Sequence, residues 1–508
     1  MIISIVFFFI WLAAIFGLIR KYLKQQEVST FLLFGAAFSI AIALCAINPL
    51  FFSWDEQFHA LVAKNGMHDF FRPTLFKEQP LDLEYFWVNS TVWMHKQPFF
   101  TWLAIPFMKL FGVSAFSYRF VYCILFGFFP IITFKILHKL YTDRIAFWGA
   151  IASIHAGFLL ILVNGAVATD QNDFTFLFLI SLSFLFFLNW LATPSFKWSV
   201  LIGVVVGLAI LTKWLVGLLV FAPWIIILLV AFVQKRNVGM QLIHLLVALL
   251  ATTLVALPWQ LYAYIHFEST YLYELNFNTQ HLFEVIENQS GLLFFHFIDA
   301  VDKVYFASFI FWPLCLTGAF QFWKKTADIR IKTAVFVPII AIFLFFTVAQ
   351  TKMPAFTLPV YIFMLGFAVN GFFNLKDKIT QKSLAQIFIL VGCLLLVMHF
   401  KPYRLLKLNG VYSLDKTTKT LNEYQQLHDL MIFQPIEKNR VVFNVNFIDM
   451  ANINWMIFTN DIAYQHIPTQ EQIDTLIKKG YHPYILVSDS SELPLQLSNI
   501  QPIIYKKD

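Results

Sequence analysis

Runs of about twenty apolar residues recur along this chain of 508 residues, and they constrain its fold more than any other feature. A helix of about 20 residues crosses the hydrocarbon core of a bilayer. Charged residues make up 13% of the chain, whereas roughly 25% is usual for soluble domains, so a soluble globular enzyme is excluded. The pattern predicts an α-helical polytopic membrane protein with twelve spans, over residues 2–19, 30–50, 116–137, 145–164, 172–191, 198–212, 214–233, 240–264, 302–322, 333–349, 357–374 and 384–400.

The basic residues predict which loops face the cytoplasm. One set of alternating loops contains 16 Lys and Arg residues but only four acidic residues, and loops of this kind remain inside. We therefore attribute the net charge of +7 to membrane topology and not to a nucleic-acid partner. The first apolar run has no basic residues before it and no small-residue cleavage site, so we expect a retained first span with its N-terminus outside.

The loops of the other set, which we expect to face outward, include two long segments, 51–115 and 265–301. We assign both to a transmembrane domain over residues 1–400. Residues 401–508 contain short apolar runs that alternate with helical patterns, so we expect a separate, soluble extracytoplasmic α/β domain. Its predicted strands lie within 440–446, 462–467, 482–488 and 500–506, and its predicted helices within 448–458 and 469–480.

Four clusters of polar residues lie in the outward loops, at residues 54–56, 93–98, 168–173 and 350–354. Their carboxylates can accept a proton or hold a cation, and their ammonium groups can bind phosphate at the membrane surface. Because nucleotide sugars are cytosolic, a sugar donor at this face would have to be linked to a polyprenyl phosphate. The clusters therefore favour glycosyl transfer from a lipid-linked phosphate.

The order of these clusters resembles the C-type (GT-C) membrane glycosyltransferases, and above all the aminoarabinose transferase and protein O-mannosyltransferase group. The matching motifs, from about residue 30 to 375, are W-D-E at 54–56, H-K-Q-P-F-F-T-W at 95–102, S-x-R-F at 117–120, T-D-x-x-D at 169–173, L-T-K at 211–213, L-P-W at 257–259 and T-K-M-P-A-F-T-L-P at 351–359. The C-terminal α/β segment is similar to the periplasmic domain of bacterial members.

The resemblance implies a GT-C fold in the bacterial inner membrane, with the active site and the C-terminal domain extracytoplasmic. The implied donor is a sugar on a polyprenyl phosphate such as undecaprenyl phosphate. The implied reaction is an inverting transfer of a hexosyl or pentosyl group to a lipid A-like lipid, a protein or an envelope glycan. Membrane lipids are further expected partners.

The resemblance also implies roles for the acids. Asp55 would be the catalytic base, and Asp170 a second acid that holds the acceptor or the active geometry. Glu56 accompanies the base in the family, and the resemblance does not fix its own role.

Among the basic residues, the resemblance implies that Lys96 binds the donor phosphate, with Lys352 and Arg119 adding positive charge. The sequence departs from the family at His95, because bacterial members have Glu before this Lys. His95 and His281 are candidate ligands of a divalent metal, and no other cofactor is expected. A basic residue usually follows the loop His at a short distance, but this chain lacks it.

For two further residues, we expect ordinary structural roles. His59, four residues after Asp55, is expected to form a surface hydrogen bond, and Lys213 to extend its ammonium group to the membrane interface. Two other functions compete with glycosyl transfer: a secondary transporter and a non-catalytic envelope scaffold. A transporter would place charges near the middle of the bilayer, whereas the polar clusters lie at one interface.

Overall fold

A computed structural model gives the fold. It describes residues 2–47, 51, 54–83, 87–165, 171–286, 289–305, 308–375, 383, 426, 429–431, 438–446, 450–487 and 497–504. Helices in the part before residue 376 are α1 (Ile2–Leu23), α2 (Thr30–Ile47), α3 (Asp55–Gly66), α4 (Phe99–Phe111), α5 (Ala115–Leu140), α6 (Asp143–Ile154), α7 (Gly157–Asn164), α8 (Gln171–Ala192), α9 (Phe196–Lys213), α10 (Phe221–Val233), α11 (Gly239–His266), α12 (Glu268–Gln280), α13 (Asp299–Val304), α14 (Ser308–Lys325), α15 (Ile329–Val348) and α16 (Tyr361–Leu375). Short 3₁₀ helices cover Trp214–Val220 and Pro354–Val360.

Apolar helices dominate this part of the chain. Among the described residues, 8 helical segments are long and apolar enough to cross a membrane, and the count is 9 if the bent pair of α6 and α7 is one span. The α-helical polytopic fold predicted from the sequence is therefore confirmed.

The predicted spans and the observed helices differ in two places. The span predicted at 145–164 is broken, because α6 and α7 meet at an angle of 42°. The start predicted for the span 302–322 is wrong, because Asp299–Val304 forms the separate helix α13 and the longer helix α14 begins at Ser308. The last predicted span, 384–400, lies outside the described residues.

The turn predicted at Lys213 is present between α9 and α10. Trp214 has a φ of 53°, which ends α9, and a 3₁₀ helix follows. The chain folds back there, since a Cβ atom on Gly217 would lie 2.9 Å from the backbone nitrogen of Ile210. The mostly apolar stretch of 38 residues from Phe196 to Val233 therefore forms two helices joined by a turn and not one straight helix.

Helices α5 and α8 position the residues of interest. α5 packs against α2, α4, α6 and α8, while α8 also packs against α9. The Tyr122 hydroxyl on α5 donates to the Phe100 carbonyl on α4 at 3.0 Å. The first turns of α5 and α8 lie beside α3, the first helix of the predicted outer segment 51–115.

The described part of the C-terminal segment forms a parallel sheet with two helices. The strands are β1 (Arg440–Phe443), β2 (Ile462–Ala463), β3 (His482–Val487) and β4 (Gln501–Ile504), in the spatial order β2-β1-β3-β4, and the helices are α17 (Ala451–Phe458) and α18 (Gln470–Lys478). A capping box of Thr469 and Gln472 begins α18, and Gly480, with a φ of +80°, follows its end. Each predicted strand and helix is present here, mostly shorter than the pattern suggested.

Candidate active site

Helix α3 places two adjacent acids in different environments. Asp55 is its first residue and is partly exposed, whereas the side chain of Glu56 is fully buried. Successive helical residues point about 100° apart, so the two carboxylates leave the helix on different sides. A carboxylate in the first turn is also favoured by the helix dipole.

Glu56 forms a buried ion pair with Arg119 of α5. Nε of Arg119 donates to Oε1 of Glu56, and Nη2 donates to Oε2, each at 2.6 Å. Both side chains have 0% exposure. Two of the five guanidinium N–H groups serve Glu56 in this pair, and the expectation that Arg119 adds positive charge around a donor phosphate stays a prediction.

The same ion pair lies beside Gly165 and Gln171, the two residues that flank the segment with Asp170. Residues 166–170, and so Asp170 itself, lie outside the described residues. At one end, the Gly165 backbone packs so closely that a Cβ atom there would lie 2.5 Å from Oε1 of Glu56. At the other end, Nε2 of Gln171 donates to Oε1 of Glu56 at 2.7 Å. The two residues that flank this segment therefore both lie beside Glu56.

Asp173, at the start of α8, connects this region to the turn after α9. The Lys213 ammonium group forms an ion pair with Asp173 and lies 5.4 Å from the centre of the Phe356 ring. The expectation that Lys213 extends to the membrane interface is wrong, because an acid of a neighbouring helix holds it.

His59 is also not at the surface. Its ring is fully buried and packs edge-on against Trp93 and Phe100, at centroid distances of 5.5 and 4.6 Å. Burial, and then the charge of Lys96, hold the pKa of His59 well below its usual range. The expected surface hydrogen bond is therefore wrong, and His59 is a neutral packing residue under the site.

Two contacts hold the residues on either side of Lys96. Nδ1 of His95 lies 3.2 Å from Oε2 of Glu274 on α12, with both side chains buried. Nε2 of Gln260 on α11 donates to Oε1 of Gln97 at 2.7 Å. Lys96 itself is half-buried between these contacts.

The His95 ring is fixed by stacking as well. It lies parallel to the Trp87 ring, with centroids 4.3 Å apart, and Phe277 packs on it at 5.4 Å. Burial, and then the charge of Lys96, lower the pKa of His95. A carboxylate can only accept, so the neutral ring donates Nδ1–H to Glu274.

Sequence reasoning missed Glu274, Gln260 and Gln171. Gln171 lies inside the T-D-x-x-D motif, which could have drawn attention to it. Glu274 lies 179 residues from His95 in a helix without a recognisable motif, so only the fold brings them together.

The loop after α12 is bonded to the T-K-M-P segment. Nδ1 of His281 lies 3.1 Å from Oγ1 of Thr351, and the Thr351 amide donates to the His281 carbonyl at 3.1 Å. The Lys352 amide donates to the Gln289 carbonyl at 2.9 Å. Burial, then Lys96 and Lys213, lower the pKa of His281 to about 4.

The Lys352 ammonium group points back to the end of the preceding helix, α15. Nζ donates to the carbonyls of Phe346, Thr347 and Ala349 at 3.0, 2.7 and 2.5 Å. These are carbonyls at the C-terminus of α15, where a cation is favoured. The expectation that Lys352 binds the donor phosphate does not fit, because all three of its N–H groups serve the helix end.

The metal hypothesis concerns His95 and His281. His95 and His281 bond through Nδ1 to Glu274 and Thr351, respectively. In the described part of the chain, no three His, Cys, Asp or Glu side chains are grouped so that they could hold a metal ion. The contacts with Glu274 and Thr351 involve only Nδ1, and a metal-ligating His typically donates its other ring N–H in this way, so metal binding by His95 and His281 stays a prediction.

The predicted clusters nevertheless converge. Lys96 is close enough to His59, His95 and His281 to lower the pKa of each. Lys213 acts on His281 in the same way. Direct contacts support this convergence: Glu56 bonds to Gln171, His59 packs on Trp93, and α12 with the loop after it bonds to His95 and Thr351.

The described part of the chain is thus a polytopic helical membrane fold in which charged residues from distant segments lie close together. The fold is similar to that of ArnT from Cupriavidus metallidurans. The crystal structure bound to undecaprenyl phosphate shares 16% sequence identity, with 88% of each chain covered and a TM-score of 0.62. The apo state gives 17% identity, 87% coverage of each chain and a TM-score of 0.57. The Archaeoglobus fulgidus oligosaccharyltransferase tethered with an acceptor peptide gives 14% identity, 86% coverage of this chain, 64% of that chain and a TM-score of 0.50.

A sequence comparison identifies a similar protein family. Residues 95–259 match the family described as dolichyl-phosphate-mannose-protein mannosyltransferase. No curated protein sequence matches the chain. Residues 95–259 and the fold are thus similar to C-type membrane glycosyltransferases, the group that the motifs resemble.

Proposed function

We propose that this protein transfers a glycosyl group from a polyprenyl-phosphate donor to an acceptor on the outer face of a bacterial inner membrane. One observation above all supports this proposal. The buried Glu56–Arg119 pair lies beside Asp55 and contacts both residues that flank the Asp170 segment, Gly165 and Gln171. Asp55 and the two residues that flank the Asp170 segment thus lie around one ion pair.

Asp55 acts as the general base in this proposal. It takes the proton of an acceptor hydroxyl or amine while the acceptor oxygen or nitrogen attacks the anomeric carbon of the donor sugar. The bond from that carbon to the phosphate oxygen breaks, and polyprenyl phosphate leaves. A single displacement of this kind inverts the anomeric configuration.

Lys96 stabilises the departing phosphate. An ammonium group held near the phosphate offsets the charge that grows on the leaving oxygen. His95 and Gln97 are tethered to α12 and α11, so the backbone that presents Lys96 is fixed from both sides. A preorganised cation of this kind favours the transition state, because it does not have to be reoriented during the reaction.

Arg119 and Glu56 act as positioning residues. Their mutual bidentate pairing holds α3, α5 and the start of α8 together. Asp170, in the segment that this pair flanks, orients the acceptor.

The donor lipid in this proposal is undecaprenyl phosphate, because the ArnT structure with the similar fold is bound to it. The transferred group is a hexosyl or pentosyl sugar. The acceptor is an outward-facing group of a lipid A-like lipid, a protein or an envelope glycan.

Purified protein in proteoliposomes with a radiolabelled undecaprenyl-phosphate sugar and an envelope extract tests the proposal. We expect labelled product, and Asp55→Asn should lower turnover by about 100-fold or more because the base is lost. Asp69→Asn is the matched control, since Asp69 is an exposed acid in the turn after α3.

Two results would contradict this assignment. Wild-type activity in Asp55→Asn would remove Asp55 from the mechanism. Movement of labelled donor across the bilayer without any glycosylated product would favour the transporter.

A further inference from the structure

The C-terminal α/β unit touches α3 at both of its ends. Before the helix, the buried ring of Phe51 packs against Phe458, the last residue of α17, with centroids 5.9 Å apart. In the last turn of the helix, Nζ of Lys64 donates to the Met456 carbonyl at 2.6 Å and to the Thr459 carbonyl. Both contacts come from the C-terminal end of α17. This end therefore holds the chain just before α3 and also the last turn of α3.

The Lys64 contact is directional. The last carbonyls of an α-helix have no partner within the helix, and they attract a cation. Lys64 is 8% exposed and reaches these carbonyls at the end of α17 from a different part of the chain, so its ammonium group works as a C-terminal cap supplied by α3. A cap of this kind fixes the position of one helix end against the other.

Other contacts of the unit are with the loop after α3. Nζ of Lys479 donates to the Pro80 carbonyl at 2.6 Å, and the Tyr481 hydroxyl donates to Glu78. These contacts hold the unit against the loop after α3, so they provide comparison variants at the same interface.

We propose that the C-terminal α/β unit positions Asp55, and that Lys64 is the positioning residue through which it acts. This inference rests on the proposed function of Asp55 as the base. Helix α3 has 12 residues and is about 18 Å long, so a shift at its Lys64 end is transmitted to its Asp55 end. A displacement of about 1 Å at a reacting group is enough to slow catalysis by about 100-fold.

The test compares the full-length protein with Lys64→Met, Lys64→Arg and Lys479→Met. Lys64→Met should reduce kcat by about tenfold or more while the donor KM changes less than about twofold, because the residue does not touch substrate. Lys64→Arg keeps the cation and should restore most of kcat. Lys479→Met, which removes an equivalent lysine-to-carbonyl bond to the loop, should leave kcat within about twofold.

A second measurement does not depend on activity. Hydrogen–deuterium exchange of the α3 amides should be faster in Lys64→Met than in the wild type and unchanged in Lys479→Met. The exchange is measured at pH 6, where Lys64 is in its ammonium form, because burial lowers the pKa of Lys64 to about 7. Global melting of each variant separates a local effect on α3 from general unfolding.

The outcomes separate the two proposals. If wild-type protein shows no glycosyl transfer but Lys64→Met still loosens α3, the proposed function fails and the contact itself stands. If Lys64→Met keeps wild-type kcat and exchange, or if Lys479→Met is impaired equally, the positioning role of Lys64 is overturned. If Lys64→Met does not fold, Phe458→Leu weakens the other α3 contact, and normal kcat and exchange in that variant would overturn the role of the unit.

Discussion

The two halves of the candidate site are built in different ways. The carboxylate half consists of Asp55, Glu56, Arg119 and Gln171, and it is organised by a fully buried, bidentate ion pair between helices. The lysine half consists of His95, Lys96, Gln97 and Glu274, and its Lys lies on a loop that is held by single hydrogen bonds to α11 and α12. The first half is part of the helical core, whereas the second is a tethered loop.

This difference predicts how each half responds to substitution. A buried charge that loses its partner is costly, so changes in the carboxylate half should lower stability and activity together. A loop that loses one tether has other contacts that keep the protein folded, so changes in the lysine half should act mainly on donor binding.

The largest effect is expected for Arg119→Met. It leaves the Glu56 carboxylate buried without its guanidinium partner, which should cost about 3–5 kcal/mol of unfolding free energy and abolish turnover. Denaturation in detergent measures the first quantity, and the glycosyl-transfer assay measures the second. Adding Glu56→Gln to this variant should recover part of the stability, and additivity of the two changes would contradict the pairing.

The next effect is expected for Glu274→Ala in the lysine half. His95 loses its buried acceptor and the orientation of its ring, so the donor KM should rise by about tenfold with a smaller change in stability. Glu268→Ala, at the exposed start of the same helix, is the control and should be neutral. An unchanged donor KM in Glu274→Ala would show that α12 does not position the Lys96 loop.

A smaller effect is expected for Lys352→Met. The carbonyls of Phe346, Thr347 and Ala349 lose a shared donor, so the protein should lose about 1–3 kcal/mol of stability. The donor KM should stay near the wild-type value. A rise in KM equal to that of Lys96→Met would instead restore Lys352 as a phosphate ligand.

The smallest effect is expected for the pH dependence of stability that His296 causes. Burial, and then the charge of Lys352, lower the pKa of His296 to about 4, whereas an unfolded His titrates near 6.5. The unfolded chain then binds more protons between these values, so this contribution to stability is present above about pH 6.5 and is lost as the pH falls toward 4. Melting temperatures in detergent across that range should fall less steeply in His296→Phe, and equal slopes in both proteins would contradict the assignment.

The sequence predicted the carboxylate half better than the lysine half for a physical reason. The W-D-E, S-x-R-F and T-D-x-x-D motifs place charged residues at the starts of helices, and the apolar runs show where those helices begin. Helix packing then brings the starts together. The role of Arg119 could not be predicted, because a guanidinium pairs equally well with a phosphate or with a carboxylate until the burial of Glu56 is known.

The lysine half depends on contacts over long sequence separations. Glu274 contacts His95 across 179 residues, and no pattern within α12 marks it. The direction of the Lys352 side chain was equally hidden, since a Lys after a helix can bind a ligand or cap the helix that precedes it. Local apolar runs therefore predict where helices form, whereas the partners of loop side chains are known only from the assembled fold.

The buried pair of Glu56 and Arg119 also has a consequence for biogenesis. Glu56 leaves the ribosome 63 residues before Arg119, and neither charge can enter apolar surroundings alone at low cost. Glu56 must therefore remain hydrated until the helix that contains Arg119 has been inserted. The carboxylate half of the site is completed only after α5 and the start of α8 have been made, so a nascent chain that stops before Gln171 has a bilayer anchor but an incomplete carboxylate half.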